Sequence, residues 1–227
     1  MGLRCGCSHR HPRHQNHPCR KPANIAHVGK FNHRLPGHDG GWSGRRAVLR
    51  LNYRIMLIPA TRPQAGQPNF STPEFRAALA RFATGVTIVT ARTPTGTLIG
   101  LTANSFNSLS LGPPLVLWSL AQAAGSMPAL STGTHYAINV LGADQQDLAE
   151  RFASKRADRW TGVAFTDSAC GAPLLTGAAA SFECFNRSRY EEGDHVIFVG
   201  EVERCSHRAG AAPLLFHGGK FYTEHPL

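Results

Sequence analysis

The sequence predicts a mainly β fold, an antiparallel barrel or sandwich, for the folded part of the chain. Three observations support this prediction. Short segments rich in β-branched residues recur along the chain, beginning at 85–91. Short turn segments, such as 93–96, lie between them, which is typical of strands that pair with their neighbours in sequence. No G-x-G-x-x-G fingerprint stands between a strand and a helix, which argues against a doubly wound dinucleotide-binding sheet.

The charge of the chain is distributed unevenly over its 227 residues. The formal net charge is +10, and residues 1–55 carry all of the excess, with eleven lysines and arginines against the single acid Asp39. This segment is also rich in His, Pro and Gly and has no sustained apolar period, a composition that predicts disorder. We expect a basic disordered extension at 1–55, a Pro/Gln/Gly-rich linker at 56–71 and one folded domain at 72–227.

Three interpretations of the extension at 1–55 stay open. Its three cysteines and neighbouring histidines are candidate zinc ligands, but their spacing matches no closed structural zinc site. Its lysines and arginines are typical of a segment that binds nucleic acid or of a transit peptide, but the segment lacks the amphipathic periodicity of a transit peptide. We favour a third interpretation, that the true start is Met56, the only methionine between Met1 and Met127.

Several classes of protein find no support in the remaining sequence. No segment approaches the roughly 20 apolar residues that a membrane span requires. Cys170, Cys184 and Cys205 stand singly, which favours free thiols in a reducing compartment. Neither a G-x-S-x-G nor an H-E-x-x-H motif is present, so a hydrolase is not indicated. We therefore expect a cytoplasmic protein that binds no membrane, no nucleic acid and no metal.

The first predicted helix begins at 71–74. The letters S-T-P-E supply a hydroxyl N-cap, a proline at the first helical position and an acid in the first turn. Its apolar face is marked by Phe75, Leu79 and Phe82, and Gly85 ends it.

Strands then dominate, with two short helices between them. A helix is expected at 127–130 and another at 144–153, where Asp144 is the cap and Leu148 and Phe152 form the buried stripe. Strands are expected at 85–91, 97–103, 115–120, 135–141, 178–190 and 195–205, with a last hairpin around 218–219. The predicted barrel core at period two in the long strands comprises Phe182, Cys184, Phe198 and Val202.

The most informative segment is 100–120, which reads GLTANSFNSLSLGPPLVLWSL. It places small hydroxyl and amide side chains between two apolar runs, and Pro113 and Pro114 end the polar part. Such side chains, with the N–H groups of a turning chain, can hold a phosphate without a glycine loop. The alternative is a loop whose polar side chains only satisfy its own backbone. Composition alone supports both interpretations.

Seven segments in a fixed order carry a resemblance to a known family. They read TGVTIVTA at 84–91, GLTANSFNSLS at 100–110, PPLVLWSL at 113–120, YAINVL at 136–141, QQDLAERFA at 145–153, GAPLL at 171–175 and GDHVIFVGEV at 193–202. This series resembles the flavin reductase family with the FMN-binding split-barrel fold, the reductase components of two-component flavin monooxygenases. The resemblance covers residues 72–224.

The resemblance implies both an architecture and a reaction. The architecture is a homodimer of six-stranded antiparallel Greek-key split barrels with a few flanking helices, and FMN or FAD lies near the dimer interface. Hydride would pass from the nicotinamide of NADH or NADPH to the flavin, and the reduced flavin would leave for a partner oxygenase. Such a protein acts mainly by positioning its two ligands, so it needs no general base.

The resemblance also assigns residues to the flavin site. The flavin ring edge and ribityl chain would be lined by Thr102, Ala103, Asn104 and Ser105, with Ser110 nearby. Two more neighbours of the flavin would be Ser119 and Leu120, with Ser126 close to the phosphate. Arg151 and Phe152 look like the family's pair beside the phosphate and the ring system. Arg151 has an independent physical case, because a guanidinium binds phosphate in bidentate fashion.

The G-D-H turn at 193–195 matches the family motif next to the nicotinamide. On this basis His195 would hydrogen-bond the pyridine nucleotide and Asp194 would orient the turn. Two alternatives to a reductase stay open. One is a split-barrel flavoprotein that keeps FMN tightly bound and reduces a different acceptor, and the other is a non-catalytic flavin-binding electron carrier or sensor.

Overall fold

The structure is a computed structural model that describes residues 68–225. The expected extension at 1–55 and most of the linker at 56–71 lie outside the described residues and stay predictions. In the part of the chain that the structure describes, every helix is too short or too polar to span a bilayer. Within the same residues, no cluster of three or more His, Cys, Asp or Glu side chains is placed to hold a metal ion.

The described chain contains three short α-helices and twelve strands. The helices are α1 (Thr72–Leu79), α2 (Met127–Thr132) and α3 (Gln146–Ala153), and a 3₁₀ turn, Ala143–Gln145, precedes α3. The strands are β1 (Thr84–Gly85), β2 (Thr87–Arg92), β3 (Leu98–Ala103), β4 (Asn107–Leu111), β5 (Pro114–Ala121), β6 (His135–Val140), β7 (Phe165–Asp167), β8 (Pro173–Leu175), β9 (Ala180–Glu192), β10 (His195–His207), β11 (Leu215–His217) and β12 (Lys220–Tyr222).

Seven strands form the main sheet in the order β3-β2-β6-β9-β10-β5-β4, and all neighbours in it are antiparallel. Two small sheets flank it, β1-β11-β12 and β7-β8. The predicted mainly β antiparallel fold class is confirmed. The pairs β2/β6 and β5/β10 join strands that are distant in sequence, so sequence-adjacent hairpins account for only part of the sheet.

The main sheet has seven strands where the resemblance implies six. The additional strand is β4, which lies at the edge of the sheet and pairs with β5. The sequence prediction placed no strand here, because the hydroxyl and amide side chains of this polar segment left only a phosphate-holding turn or a loop as alternatives. An edge strand has a side that faces solvent and therefore tolerates such polar residues.

Helix α1 follows its predicted start but not its predicted packing. Ser71 accepts a hydrogen bond from the backbone of Glu74, whose carboxylate in turn accepts from the backbone of Ser71, so a capping box forms. None of the residues of α1 is buried, and Leu79 is 56% exposed. Phe82, 76% exposed, lies beyond the end of the helix at Leu79. The apolar residues of α1 are therefore present as predicted, but they do not pack against the core.

The predicted cap at Asp144 is wrong. Asp144 lies inside the 3₁₀ turn, where Gln145 Oε1 accepts a hydrogen bond from the backbone N–H of Gly142 at 3.0 Å. The longer amide side chain reaches back across the turn, whereas Asp144 faces Arg208 at 3.8 Å. The buried side of α3 agrees better with the prediction, since Phe152 is fully buried and Leu148 is partly buried.

The core consists of two clusters. Inside the barrel Trp118 stacks on Phe198, with ring centroids 4.6 Å apart, and meets the edge of Tyr136. Cys184 belongs to the same cluster, and burial raises the pKa of its thiol to about 12, so the thiol is uncharged and unreactive. Of the other predicted core residues, Phe182 and Val202 are partly buried against this cluster. The second cluster lies under α3 and includes Ile88, Leu141, Phe152 and Leu214.

Candidate functional site

Two adjoining cavities lie beside the end of β3. The first has a volume of about 780 Å³ and is enclosed by α1, the β3–β4 turn, β5 and the β11–β12 hairpin. The second, of about 190 Å³, lies between β3 and the last turns of α3. Asn104 and Phe216 line both cavities, so these two side chains form the junction between them. We refer to the pair as the first and second cavities.

Asn104 supplies the amide at this junction. Its side chain is exposed, and it makes no hydrogen bond to any side chain or backbone group within residues 68–225. Ser105 differs, because its hydroxyl donates to the carbonyl of Ser119 at 3.1 Å and accepts from the Ser119 N–H at 3.0 Å. The Ser105 side chain therefore fixes the β3–β4 turn to β5. Its hydroxyl hydrogen is already used within the protein.

The two residues before Asn104 face different directions. Thr102 lines the second cavity, and its hydroxyl donates to the carbonyl of Ala149 in α3 at 2.7 Å. Ala103 is 8% exposed and belongs to the barrel core, and its carbonyl accepts a hydrogen bond from Thr87.

Strand β5 alternates between the core and the first cavity. Leu117 and Ser119 line the cavity, whereas Trp118 and Leu120 belong to the barrel core. The Leu120 side chain therefore packs in the core, and its predicted contact with the flavin stays a prediction. Ser119 and Asn104, in contrast, face the same cavity.

The G-D-H turn begins β10 next to the end of β5. His195 pairs with Ala121, and Ile197 pairs with Ser119, so His195 lies on the same sheet face as Ser119, two residues farther along. The imidazole Nδ1 and the Asp194 carboxylate lie 2.6 Å apart. This hydrogen bond lowers the pKa of the Asp194 carboxyl below its usual value, so the carboxylate stays ionised and holds the ring. Among residues 68–225, the imidazole Nε2 of His195 makes no hydrogen bond.

Eight of the predicted site residues line neither cavity: Ala103, Ser110, Leu120, Ser126, Arg151, Phe152, Asp194 and His195. Arg151 is in the last turn of α3, next to the cavity-lining Ala153, and donates from Nη1 to the carbonyl of Thr161 at 3.1 Å. Phe152 is buried beneath this turn and meets Trp160 edge to face, with ring centroids 4.9 Å apart. Ser126 is the N-cap residue of α2, and Ser110 lies in β4 opposite Leu115.

The sequence prediction missed several residues that line the first cavity. They are Arg76, Phe82, Phe106, Asn107, Phe216 and His217. The hairpin residues come to the cavity because β11 pairs with the two-residue strand β1, a contact between the two ends of the domain. The H-G-G sequence at 217–219 was a visible turn signal, but nothing local indicates which surface the turn approaches.

Comparison with known proteins decides the family. The model of the flavin reductase like domain matches residues 79–225. The chain belongs to the flavin reductase family. The resemblance inferred from the seven sequence segments is confirmed, and the match spans all of the main sheet and the residues of both cavities except Arg76.

Curated relatives of this flavin reductase family member are close in sequence. The FMN reductase (NADH) SmoA of Agrobacterium fabrum is 50% identical over 152 residues, covering 65% of this chain and 83% of the relative. The reductase subunit HsaB of a flavin-dependent monooxygenase of Rhodococcus jostii is 37% identical over 152 residues, covering 67% and 77%. The chain spans 48% of the reductase component of the flavin-dependent trigonelline monooxygenase of Acinetobacter baylyi, at 38% identity.

Solved structures show the same architecture. The NADH:FAD oxidoreductase SgcE6 of Streptomyces globisporus, in complex with NAD and FAD fragments, superposes with a TM-score of 0.65 at 36% identity. The superposition covers 70% of this chain and 98% of that chain. The styrene monooxygenase flavin reductase of Pseudomonas putida gives a TM-score of 0.63 at 36% identity, covering 68% and 99%.

Proposed function

We propose that this chain is an NAD(P)H-dependent flavin reductase that transfers hydride to FMN or FAD and supplies the reduced flavin to a partner monooxygenase. The observation that carries this proposal is the pair of cavities meeting at Asn104, within a chain of the flavin reductase family. The relatives SmoA and HsaB, named as an FMN reductase and as a reductase subunit of a monooxygenase, support the same function.

The residues of the two cavities fit a flavin. The first cavity is in the size range of small-molecule sites, and Phe106, Leu117 and Phe216 offer apolar surfaces to a flat ring system. Asn104 and Ser119 supply polar groups where the ring edge needs hydrogen-bond partners. A flavin bound there would supply the hydride acceptor, and the chain would orient it.

The flavin phosphate is proposed to lie toward the end of α3. The second cavity extends from Asn104 to Ala153. Ala153 lies in the last turn of α3, and the same turn carries Arg151. A guanidinium has five N–H donors, and Arg151 uses one nitrogen, Nη1, on the Thr161 carbonyl. The remaining donors are available to a phosphate. Ser126 is proposed as a further phosphate neighbour, although it does not line either cavity.

The nicotinamide is proposed to lie against the sheet face that carries Ser119 and His195. Because Asp194 holds the imidazole through Nδ1, the opposite nitrogen faces away from the protein and can bond to the nucleotide. The chain would thus place the nicotinamide beside the flavin ring, and proximity is the main catalytic contribution of the protein.

A homodimer is proposed on the basis of exposed apolar side chains around the first cavity. Leu79 and Phe82 lie on one side of it, and Leu111, 96% exposed, lies on the neighbouring edge strand. Apolar surface of this kind is typical of an interface rather than of a free surface. A second copy covering this face would enclose the flavin. A cytoplasmic location is proposed from the free cysteines Cys170, Cys184 and Cys205.

Gel filtration of the purified protein after incubation with FMN separates the proposed function from its rival. A reductase that delivers flavin must release it, so we expect the yellow colour to separate from the protein peak. Co-elution of stoichiometric flavin through repeated gel filtration would favour the alternative flavoprotein with tightly held FMN.

Replacing Asn104 with alanine should weaken the binding of FMN and riboflavin by roughly tenfold each, because the lost amide faces the ring edge and ribityl chain that the two flavins share. The fold should be unaffected, since the side chain is exposed and makes no internal hydrogen bond among the described residues. Quenching of flavin fluorescence measures both affinities. Gln122→Ala, an exposed amide outside both cavities, is the matched control, and equal effects of the two variants would contradict this location of the site.

Replacing His195 with alanine should raise the KM for NADH by roughly tenfold and leave flavin affinity unchanged, because the imidazole is assigned to the nucleotide alone. Initial rates at saturating FMN give the KM. His135→Ala, a histidine at the start of β6 and paired with Glu203 at 3.5 Å, is the control. An unchanged nucleotide affinity in the His195 variant would show that the assigned role is wrong.

A further inference from the structure

The first cavity is also lined by two basic side chains that the proposed flavin and nicotinamide positions do not use. They are Arg76 in α1 and His217 in β11. A backbone hydrogen bond of 3.0 Å from Gly218 N–H to the carbonyl of Ala80 joins the end of α1 to the β11–β12 turn. Because of this bond, the segments that carry Arg76 and His217 are connected to each other.

The charge of Arg76 has no acidic partner among residues 68–225. The ion pairs there involve Arg92, His135, Arg156, Arg187, His195 and Arg208. The acid nearest to Arg76 in sequence, Glu74, is occupied by the capping box, since its carboxylate accepts from both the N–H and the hydroxyl of Ser71 at 2.7 Å. An unneutralised guanidinium on the wall of a cavity is suited to bind an anion.

We propose that Arg76 and His217 bind a phosphate group of a nucleotide in the first cavity. The proposal rests on the proposed function in one respect, that the nucleotide is the flavin or NAD(P)H. Both ligands carry phosphate beyond a ring system, and Asn104 and Ser119, assigned to the ring, line the same cavity as Arg76 and His217. A guanidinium matches phosphate geometry with two parallel N–H donors, and an imidazole N–H adds a third.

This phosphate position is separate from the one proposed at Arg151. Arg151 lies in α3 and lines neither cavity, whereas Arg76 and His217 line the first cavity and not the second. The chain therefore offers an arginine at two separate positions. Which of the two ligands uses Arg76 and His217 is decided by the experiment below.

The test compares ligands that differ only in carrying phosphate. Arg76→Gln and His217→Gln are titrated with FMN and with riboflavin, and flavin fluorescence reports the binding. The same variants are titrated with NADH and with dihydronicotinamide riboside, and nicotinamide fluorescence reports the binding. Arg81→Gln is the matched control, because Arg81 is exposed in the same segment and does not line the cavity. Unchanged binding of the phosphate-free ligands shows that each variant is folded.

We expect Arg76→Gln to weaken the phosphorylated member of one pair by roughly tenfold relative to its phosphate-free partner, and His217→Gln to act in the same direction. Loss confined to FMN assigns the site to the flavin, and loss confined to NADH assigns it to the dinucleotide. Added salt should weaken the same ligand more in the wild type than in Arg76→Gln. Equal effects on phosphorylated and phosphate-free ligands, or none, would overturn the inference.

The outcome is distinguishable from failure of the proposed function. If the wild-type protein reduces riboflavin with NADH but neither variant changes phosphate discrimination, only the present inference fails. If the wild type binds none of the four ligands, both fail.

Discussion

Replacing Asn139 with alanine is expected to lower the free energy of unfolding by about 3–4 kcal/mol, measured by urea denaturation. Asn139 is completely buried near the end of β6. Its amide group donates to the carbonyl of Ile88 and to Thr90 Oγ1, both at 3.2 Å, and its carbonyl accepts from the N–H of Leu175 at 2.9 Å. Alanine would leave these groups buried without partners, and that desolvation is costly.

This effect is large because Asn139 connects separate sheets. Ile88 and Thr90 belong to β2 of the main sheet, whereas Leu175 belongs to β8 of a small sheet. Ser181 in β9 also donates to Asn139 Oδ1, at 3.3 Å. The exposed Asn107→Ala is the control and should change the unfolding free energy by no more than about 0.5 kcal/mol. A loss below about 1 kcal/mol in the Asn139 variant would contradict the role of this side chain as a buried connector.

Replacing Gly100 with alanine should destabilise the domain by about 1–3 kcal/mol and weaken flavin binding. A Cβ atom at Gly100 would clash with the ring of Phe152, lying 2.7 Å from Cδ1, and would lie 2.9 Å from Cζ2 of Trp160. Both aromatic rings would have to move, although Phe152 is packed in the cluster under α3. The movement would shift the last turn of α3, whose Ala149 and Ala153 line the second cavity.

Two further variants make this prediction specific. Gly125→Ala is the control, because a Cβ there meets no atom within 4 Å. Phe152→Leu should relieve the clash, so the double variant Gly100→Ala/Phe152→Leu should be more stable than the sum of the two single effects predicts. Strictly additive unfolding free energies would mean that the two positions are not in contact.

Local sequence patterns predicted most of the secondary structure. The β-branched run at 85–91 and the alternating residues of the long strands became β2, β9 and β10, and S-T-P-E at 71–74 became the capping box of α1. The strand β4 was missed because an edge strand needs only one apolar side, and alternating serines looked like loop. The cap at Asp144 was wrong because the neighbouring Gln145 competes for the same turn.

The candidate site was predicted only in part, and the reason is its long-range construction. Asn104 was a candidate from the residue pattern, Ser119 was assigned by the family resemblance, and both line the first cavity. Arg76, Phe216 and His217 join them only through the pairing of β1 with β11, which no local pattern reveals. The sequence of β5 shows that side chains alternate between the two faces of the strand, so Leu120 must lie on the core face with Trp118. Strict use of this alternation would have placed Leu120 in the core and not in the cavity wall.

The most direct test of flavin reduction is the initial rate of NADH oxidation by the purified full-length protein with added FMN, FAD or riboflavin. NADPH is measured in parallel. The account predicts turnover that depends on added flavin, saturates with it, and falls at low flavin concentration in the Asn104→Ala variant, because that amide lies where the two cavities meet. Absence of NADH and NADPH oxidation with all three flavins, from protein that is folded and binds FMN, would contradict the account and favour a non-catalytic flavin carrier.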